Sequence, residues 1–454
     1  MAARHPAAML RPRQDDWDGR MMTLLDIVEK WISGDWGKES PCEDAQNQIC
    51  CIRGADIVPI ANVDFKDIPI RFVSDRSLAN RSLREGDIVI EKSGGSPTQS
   101  TGRSAFVSKE LMEARGPILC SNFCCAFRVR SGWNPKYIYY YLQYFYGLGT
   151  FFNFEGKTSG LKNLDVENAF TAIVAPSASK DVQDKVEGIL SSIDHKIALN
   201  RKRIATLEAM AKEIYDYWFV QFDFPDAHGR PYKSSGGAMV YNPDLKREIP
   251  KGWEVKPLAE AVKELNSGEW GSDAYGETSS VEVHCLRGAD MEDQSNLPVR
   301  YIAERKTDKL LSVGDIVIEM SGGSPIQATG RSCYVSQGLW DAYNGKLTCT
   351  NFCNSLKLKE PDETAYFLFV WRMFYQAGLM FNFEGKTSGL KNLQIDSLLA
   401  TKWVFPPKEL EAKFNKLHLS VTAQTDNCKK EISRLSDLRD FILPVLMNGQ
   451  VKVG

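Results

Sequence analysis

The sequence predicts an α+β protein: two tandem copies of one domain and two long helices that pair antiparallel like a coiled coil. Three observations lead there. First, the twelve residues Asn153–Leu164 (Asn-Phe-Glu-Gly-Lys-Thr-Ser-Gly-Leu-Lys-Asn-Leu) recur unchanged at Asn382–Leu393, an offset of 229 in a chain of 454. Second, shorter matches keep nearly the same spacing. Ser33–Gly37 and Arg53–Asp56 return 234 residues later as Ser267–Gly271 and Arg287–Asp290. Gly86–Glu91, Ser93–Pro97 and Thr101–Ser104 return 228 later, at Gly314–Glu319, Ser321–Pro325 and Thr329–Ser332. A drift of six residues requires only short loop insertions, so a whole domain was duplicated. Third, each copy is followed by a stretch in which aliphatic residues recur at three- and four-residue steps, the period of an amphipathic helix.

Taken in order, residues 1–22 contain arginines but no apolar run, and read as a disordered extension rather than a secretory signal. Residues 23–178 form the first domain. Asp87–Glu91 places three β-branched residues together before a glycine-rich turn, the mark of a strand. Asn134–Gly147, dense in tyrosine with Pro135 near its start, reads as a helix, as does its counterpart Asp362–Gly378. Residues 179–224 form the first long helix, with a seam from Val182 to Trp218 that the polar Asn200 interrupts. Residues 225–252, rich in proline, glycine and serine, read as a linker, residues 253–406 as the second domain, and 407–454 as the second helix. Ile204, Leu207 and Ile214 of the first helix align with Ile432, Leu435 and Ile442 of the second, so the two apolar faces match and cover each other best when antiparallel.

Composition excludes some classes. No run reaches the ~18 apolar residues of a membrane helix. A net charge of −2 gives no global basic field, so any nucleic-acid contact must rest on a local patch. Eleven cysteines without an export signal are expected to be free thiols in the cytoplasm. Cys120/Cys124 and Cys349/Cys353 repeat at a four-residue step, with Cys51 matching Cys285, but three thiols per copy without a paired histidine fall short of a zinc site. Gly156-Lys157-Thr158 lacks the earlier glycine of a phosphate-binding loop, because Phe151 stands there.

The order of several motifs, together with the duplication, resembles the DNA-specificity subunit of type I restriction-modification systems. The residues concerned are Gly86–Ile90, Thr158–Leu164, Pro176 with Gln183, and Tyr217–Phe224 followed by Ile249–Val255. The likeness runs from about Leu24 to nearly the end; after Pro406-Pro407 the second helix has no matching glutamine. It implies two target-recognition domains, each reading half of a bipartite duplex DNA site, and helices that dock two methyltransferase subunits. No cofactor is then expected in this chain: S-adenosylmethionine would belong to the methyltransferases, and ATP and Mg to motor-nuclease subunits where present.

Within that reading, Ser93, Gly94, Gly95, Ser96, Gln99, Thr101 and Arg103 form the first candidate DNA-contacting loop. Its twin is Ser321, Gly322, Gly323, Ser324, Gln327, Thr329 and Arg331. Small residues let the backbone approach phosphates, while Gln and Arg suit base edges. Lys157, Thr158, Ser159 and Lys162, with Lys386, Thr387, Ser388 and Lys391, are candidates for phosphate contacts. The plain alternative for both sets is a surface turn. Ile193, Ile197, Ile204, Leu207, Ile214, Ile432, Leu435 and Ile442 are the expected docking side chains. Half-site specificity is expected where the copies differ most, Ile57–Asn80 against Met291–Lys309 and Phe106–Leu119 against Tyr334–Leu347. Those stretches hold Lys66, Arg71 and Arg76 in one copy, and Arg300, Arg305 and Lys306 in the other. A competing enzymatic reading makes the chain a self-contained metal-dependent endonuclease using Glu155/Lys157 and Glu384/Lys386, with Asp87 and Asp315 completing the ligand set.

Overall fold

The structure, a computed structural model, describes residues 21–94, 99–158, 161–322, 326–387 and 390–450; the side chains of Lys157, Thr158, Leu161, Lys386 and Thr387 also lie outside that description. The chain divides into two units, residues 1–199 with 432–454, and residues 200–431. Both long helices are therefore shared. The helix Lys180–Tyr215 gives its first part to the first unit and the rest, with the π-turn Asp216–Val220, to the second. The helix Lys408–Met447 does the reverse. The division thus cuts through both helices rather than falling at their starts.

In the first unit the hydrophobic run Ile88–Glu91 is a central strand, paired antiparallel with Cys124–Val129 on one side and Ser104–Phe106 on the other; Val28–Ser33 completes the sheet. Its side chains alternate between two cores. Ile88 and Ile90 join Phe127, the tyrosine-rich helix Pro135–Gly147 and the long-helix residues Val186 and Leu190. Val89 points to the other face, where Ala126, Leu111 and Ile118 pack. A strand covered on both faces needs apolar side chains on each, which Ile88, Val89 and Ile90 supply, each stabilising by about 1.5–3 kcal/mol. Pro135 starts its helix, and the Asn134 side chain accepts from the Lys136 and Tyr137 amides at 2.9 Å each. A second sheet pairs Asn47–Ile52 antiparallel with Ile70–Val73 and parallel with Ile118–Cys120.

The second unit repeats these sheets. Ile316–Glu319 is the central strand, with Ile316 and Ile318 in one core and Val317 in the other. A bulge at Val28/Lys30 recurs at Val262/Glu264. The stretch read as a linker is folded: Met239–Asn242 pairs with Arg247–Pro250 in a hairpin. Ile249 and the flanking Phe222 and Trp253 are buried in the unit's core. Composition pointed to a linker because the turn residues Asn242, Pro243 and Asp244 lie between two very short strands.

Within each unit the helices run antiparallel. In the first, Arg439 reaches Asp194 at 3.2 Å, and Val186 and Leu190 share a core with Ile442 and Met447. In the second, the buried Asn200 amide donates to Glu431 at 2.8 Å, Arg203 donates to Gln424 at 3.1 Å, and Tyr215 packs on Phe414. Asn200 therefore sits in the seam as a hydrogen-bonded register mark. Among the described residues, no helix is long and apolar enough to cross a membrane.

Candidate nucleic-acid interface

The twelve-residue repeat is a β-hairpin in both copies: Glu155–Thr158 pairs with Leu161–Leu164, and Glu384–Thr387 with Leu390–Leu393. The short strand Ser93–Gly94 adds to the first hairpin opposite Lys162 and Asn163, and Ser321–Gly322 adds to the second in the same way. The glycine loop is thus clasped by the repeat.

Two carboxylates hold the clasp. Glu91, at the end of the central strand, is 2% exposed and accepts two bonds from the Arg103 guanidinium, at 2.9 and 2.7 Å. Glu319 and Arg331 repeat this at 2.9 and 2.7 Å. Hydrogen bonding to the carboxylate raises the pKa of both arginines further. Gly54 has to be glycine beside this pair, since a Cβ there would lie 2.5 Å from Glu91 Oε1. Glu155 Oε1 accepts from the Thr101 amide at 2.6 Å and its hydroxyl at 2.9 Å, while the Lys162 ammonium lies 3.1 Å from Oε2. Lys162 also donates to the Gln99 carbonyl at 3.1 Å and sits over the Phe152 ring. Glu384, Thr329, Lys391, Gln327 and Phe381 reproduce the arrangement. Burial pushes Glu384 up, but the Thr329 amide, Lys391 and the Thr329 hydroxyl outweigh it and hold the carboxyl below its ordinary value.

This geometry revises part of the expected contact set. Thr101, Thr329, Arg103 and Arg331 are enclosed, and both guanidiniums are engaged by buried carboxylates, so they shape the loops rather than reach for bases. Lys162 and Lys391 are ion-paired within the clasp. Ser93 and Ser321 bond to Asn163 and Asn392 at 2.5 Å. The Gln99 and Gln327 side chains are exposed and remain suited to base edges. Gly95, Ser96, Pro97, Gly323, Ser324, Ser159 and Ser388 lie outside the described residues, as do the side chains of Lys157, Thr158, Lys386 and Thr387.

One pair of divergent stretches folds differently, while the other keeps a short helix in both copies, Lys109–Arg115 and Gln337–Ala342. Ile57–Asn80 holds two short helices, Ile57–Ala61 and Asp75–Arg81, where the second copy has only the 3-10 segment Glu304–Lys309. Arg71 and Arg300, expected as readers, instead stack on Trp36 and Trp270 at 3.9 and 4.0 Å. Sequence reasoning missed these Trp–Arg pairs and the Glu–Arg pairs. A signal was present: each acid and its arginine recur together, twelve residues apart, in both copies.

The expected docking side chains are also placed otherwise. Ile193 and Ile197 are buried, and Ile204, Leu207, Ile214, Ile432, Leu435 and Ile442 half-buried, because the helices cover each other's apolar stripes. Exposed apolar side chains on these helices include Leu199, Met210, Leu438 and Phe441. All eleven cysteines are free and ten are buried. Burial pushes Cys51 up to about 12 and Cys124 to about 11, protonated forms that make poor metal ligands. Among the described residues no cluster could hold a metal ion.

No protein-family model matches the chain. Over 416 residues, 88% of each protein, it is 24% identical to the type I restriction enzyme MjaIX specificity subunit of Methanocaldococcus jannaschii. It is 23% identical over 321 residues to the type I restriction enzyme HindI specificity subunit of Haemophilus influenzae, covering 60% of this chain and 68% of that protein. Among solved structures, the S subunit of a type I restriction-modification system from M. genitalium matches with a TM-score of 0.55 and 15% identity, over 96% of this chain and 99% of that one. That structural likeness speaks for the fold. By sequence along most of its length, and by fold, the chain is similar to the specificity subunits of type I restriction-modification systems.

Proposed function

We propose that this chain is the non-catalytic subunit that selects the DNA sequence for a type I restriction-modification complex, each unit reading one half of a bipartite duplex target. The observation that carries this reading is a clasp built twice from the same residues beside stretches that fold differently. A fixed loop platform with variable neighbours suits one mode of DNA contact directed at two half-sites. On this reading the helices dock two methyltransferase subunits, which bring S-adenosylmethionine. Motor-nuclease subunits, where present, bring ATP and Mg, and the complex works in the cytoplasm. Phosphate contacts fall to the hairpin and loop tips, and base contacts to Gln99, Gln327 and their neighbours.

The endonuclease reading is weaker. Both oxygens of Glu155 already face protein donors, and Asp87 is bound by Arg128 at 2.8 and 2.9 Å, which leaves neither carboxylate open for magnesium. Long-read mapping of modified adenines in cells with and without the gene tests the proposal. A two-part motif that disappears with the gene supports it, and unchanged modification counts against it. Plasmid cleavage by the purified chain with magnesium alone, lost in Lys157→Ala with Lys386→Ala, would establish the nuclease instead.

A further inference from the structure

The second unit contains a cleft of about 710 Å3 lined by the end of the central helix, the C-terminal helix and the helix Thr364–Gln376. The duplication supplies an internal control. In the first unit the corresponding positions are self-satisfied: the Gln143 amide donates to the carbonyl and hydroxyl oxygens of Ser104 at 3.1 and 3.0 Å. Leu190 and Ile197 are buried apolar residues, and Arg439 fills the space beside Asp194. In the second unit these four positions hold Arg372, His418, Thr425 and Ala211. The arginine that fills the first unit is replaced by a methyl group, and three polar groups line the space instead.

Among the described residues, none of those three groups has a hydrogen-bond partner. Among the described residues Arg372 has no ion pair or hydrogen bond; its ring contact is Phe369, at 5.8 Å. Burial lowers its pKa, against the opposing pull of Cys333 and the exposed Glu208. His418 is 6% exposed with Nε2 unpartnered, and Thr425 is 8% exposed with Oγ1 unpartnered. Burial and Arg372 hold the His418 ring neutral, its pKa lowered to about 4. Tyr334 and Phe369 stand edge-on to that ring, at 5.2 and 5.7 Å, and give the cleft an apolar wall. Of the acids lining the cleft, Asp426 is satisfied by the Ser336 hydroxyl and the Gly338 amide, Asp216 is paired with Lys212, and Glu208 and Glu292 are exposed. A half-buried guanidinium beside two buried unsatisfied groups is costly unless an anion completes the set.

We infer that this cleft binds a small oxyanion, the phosphate or carboxylate group of a small molecule, with Arg372 holding two oxygens and His418 and Thr425 bonding to the anion. The site belongs to the second unit alone, and it stands whether or not the function proposed above holds.

Calorimetric titration of the full chain with inorganic phosphate, and separately with acetate, at constant ionic strength tests this. One saturable site per chain is expected, and the preferred anion identifies the source. Arg372→Gln, which installs the first unit's residue, weakens binding by about tenfold or more, and His418→Leu weakens it too. Melting without anion confirms that the variants fold; if Arg372→Gln does not, His418→Leu carries the test. Saturable binding of neither anion by the wild type overturns the inference, as does equal binding by the variants. It is also overturned if the wild type takes neither anion while Arg372→Gln loses affinity for duplex DNA.

Discussion

Arg103 and Gln99 lie four residues apart on one loop, yet the structure gives them opposite tasks. Arg103 is locked to Glu91, whose side chain is 3% exposed. Removing one partner of such a pair leaves a buried charge uncompensated, at a cost of about 3–5 kcal/mol. Arg103→Ala is therefore expected to lower the urea midpoint strongly, and Arg331→Ala to act likewise in the second unit. Gln99→Ala, at an exposed side chain, is expected to leave the midpoint unchanged. Under the proposed function it relaxes discrimination at one base pair by about 1–3 kcal/mol, seen as a degenerate position in the mapped motif. Side-chain type alone did not separate these roles. Arg and Gln both suit base edges, and only burial and the opposing carboxylate show that Arg103 is locked.

At the scale of elements, the two long helices start at equivalent positions, Lys180 and Lys408, and differ in chemistry at one buried position of the first turn. Gln183 accepts from the Asn134 amide at 2.9 Å and donates to the Ala178 carbonyl at 2.8 Å. Its counterpart in the second copy, for which no match was evident in the sequence, is Glu411, 2% exposed, with one oxygen unpartnered. Burial, then Glu363, push its pKa from 4.5 to about 8, against the opposing pull of Lys256 and Lys408. The folded chain thus keeps this proton while the unfolded chain releases it near the ordinary value. Between those two pH values the native state binds the extra proton, so stability falls as pH rises from about 4.5 to about 8 and then levels. Glu411→Gln is expected to remove that decline, measured as a flatter dependence of the denaturation midpoint on pH. The seam offers a second test. Ile197 is 2% exposed and Phe441 72%. Ile197→Ser should destabilise the chain, whereas Phe441→Ser should leave folding intact. If the helices dock methyltransferase subunits, Phe441→Ser should also weaken co-purification with them.

At the scale of the whole molecule, each unit draws on both long helices, so a truncation at residue 178 or 406 removes packing from a core rather than separating a domain. The common clasp and the divergent flanks make a further prediction under the proposed function. Replacing residues 291–309 and 334–347 by 57–80 and 106–119 should convert the second half-site to a copy of the first. Motif mapping of modified DNA reads the outcome directly, and an unaltered second half-site would move specificity away from these stretches.

The sequence by itself determined what depends on local pattern. The twelve-residue repeat and its offset revealed the duplication; the β-branched run before a glycine turn revealed the central strand; the three- and four-residue spacing revealed both long helices. Tertiary structure decided whatever depends on partners far apart in the chain. Thr101 meets Glu155 across 54 residues, a short hairpin turns an apparent linker into core, and each helix divides between two units. Period and propensity act over a few residues, whereas the burial of a charge is settled by what the fold brings to face it. For that reason the repeat was visible at once, and its role as a clasp on the strand Ser93–Gly94 and its twin was not.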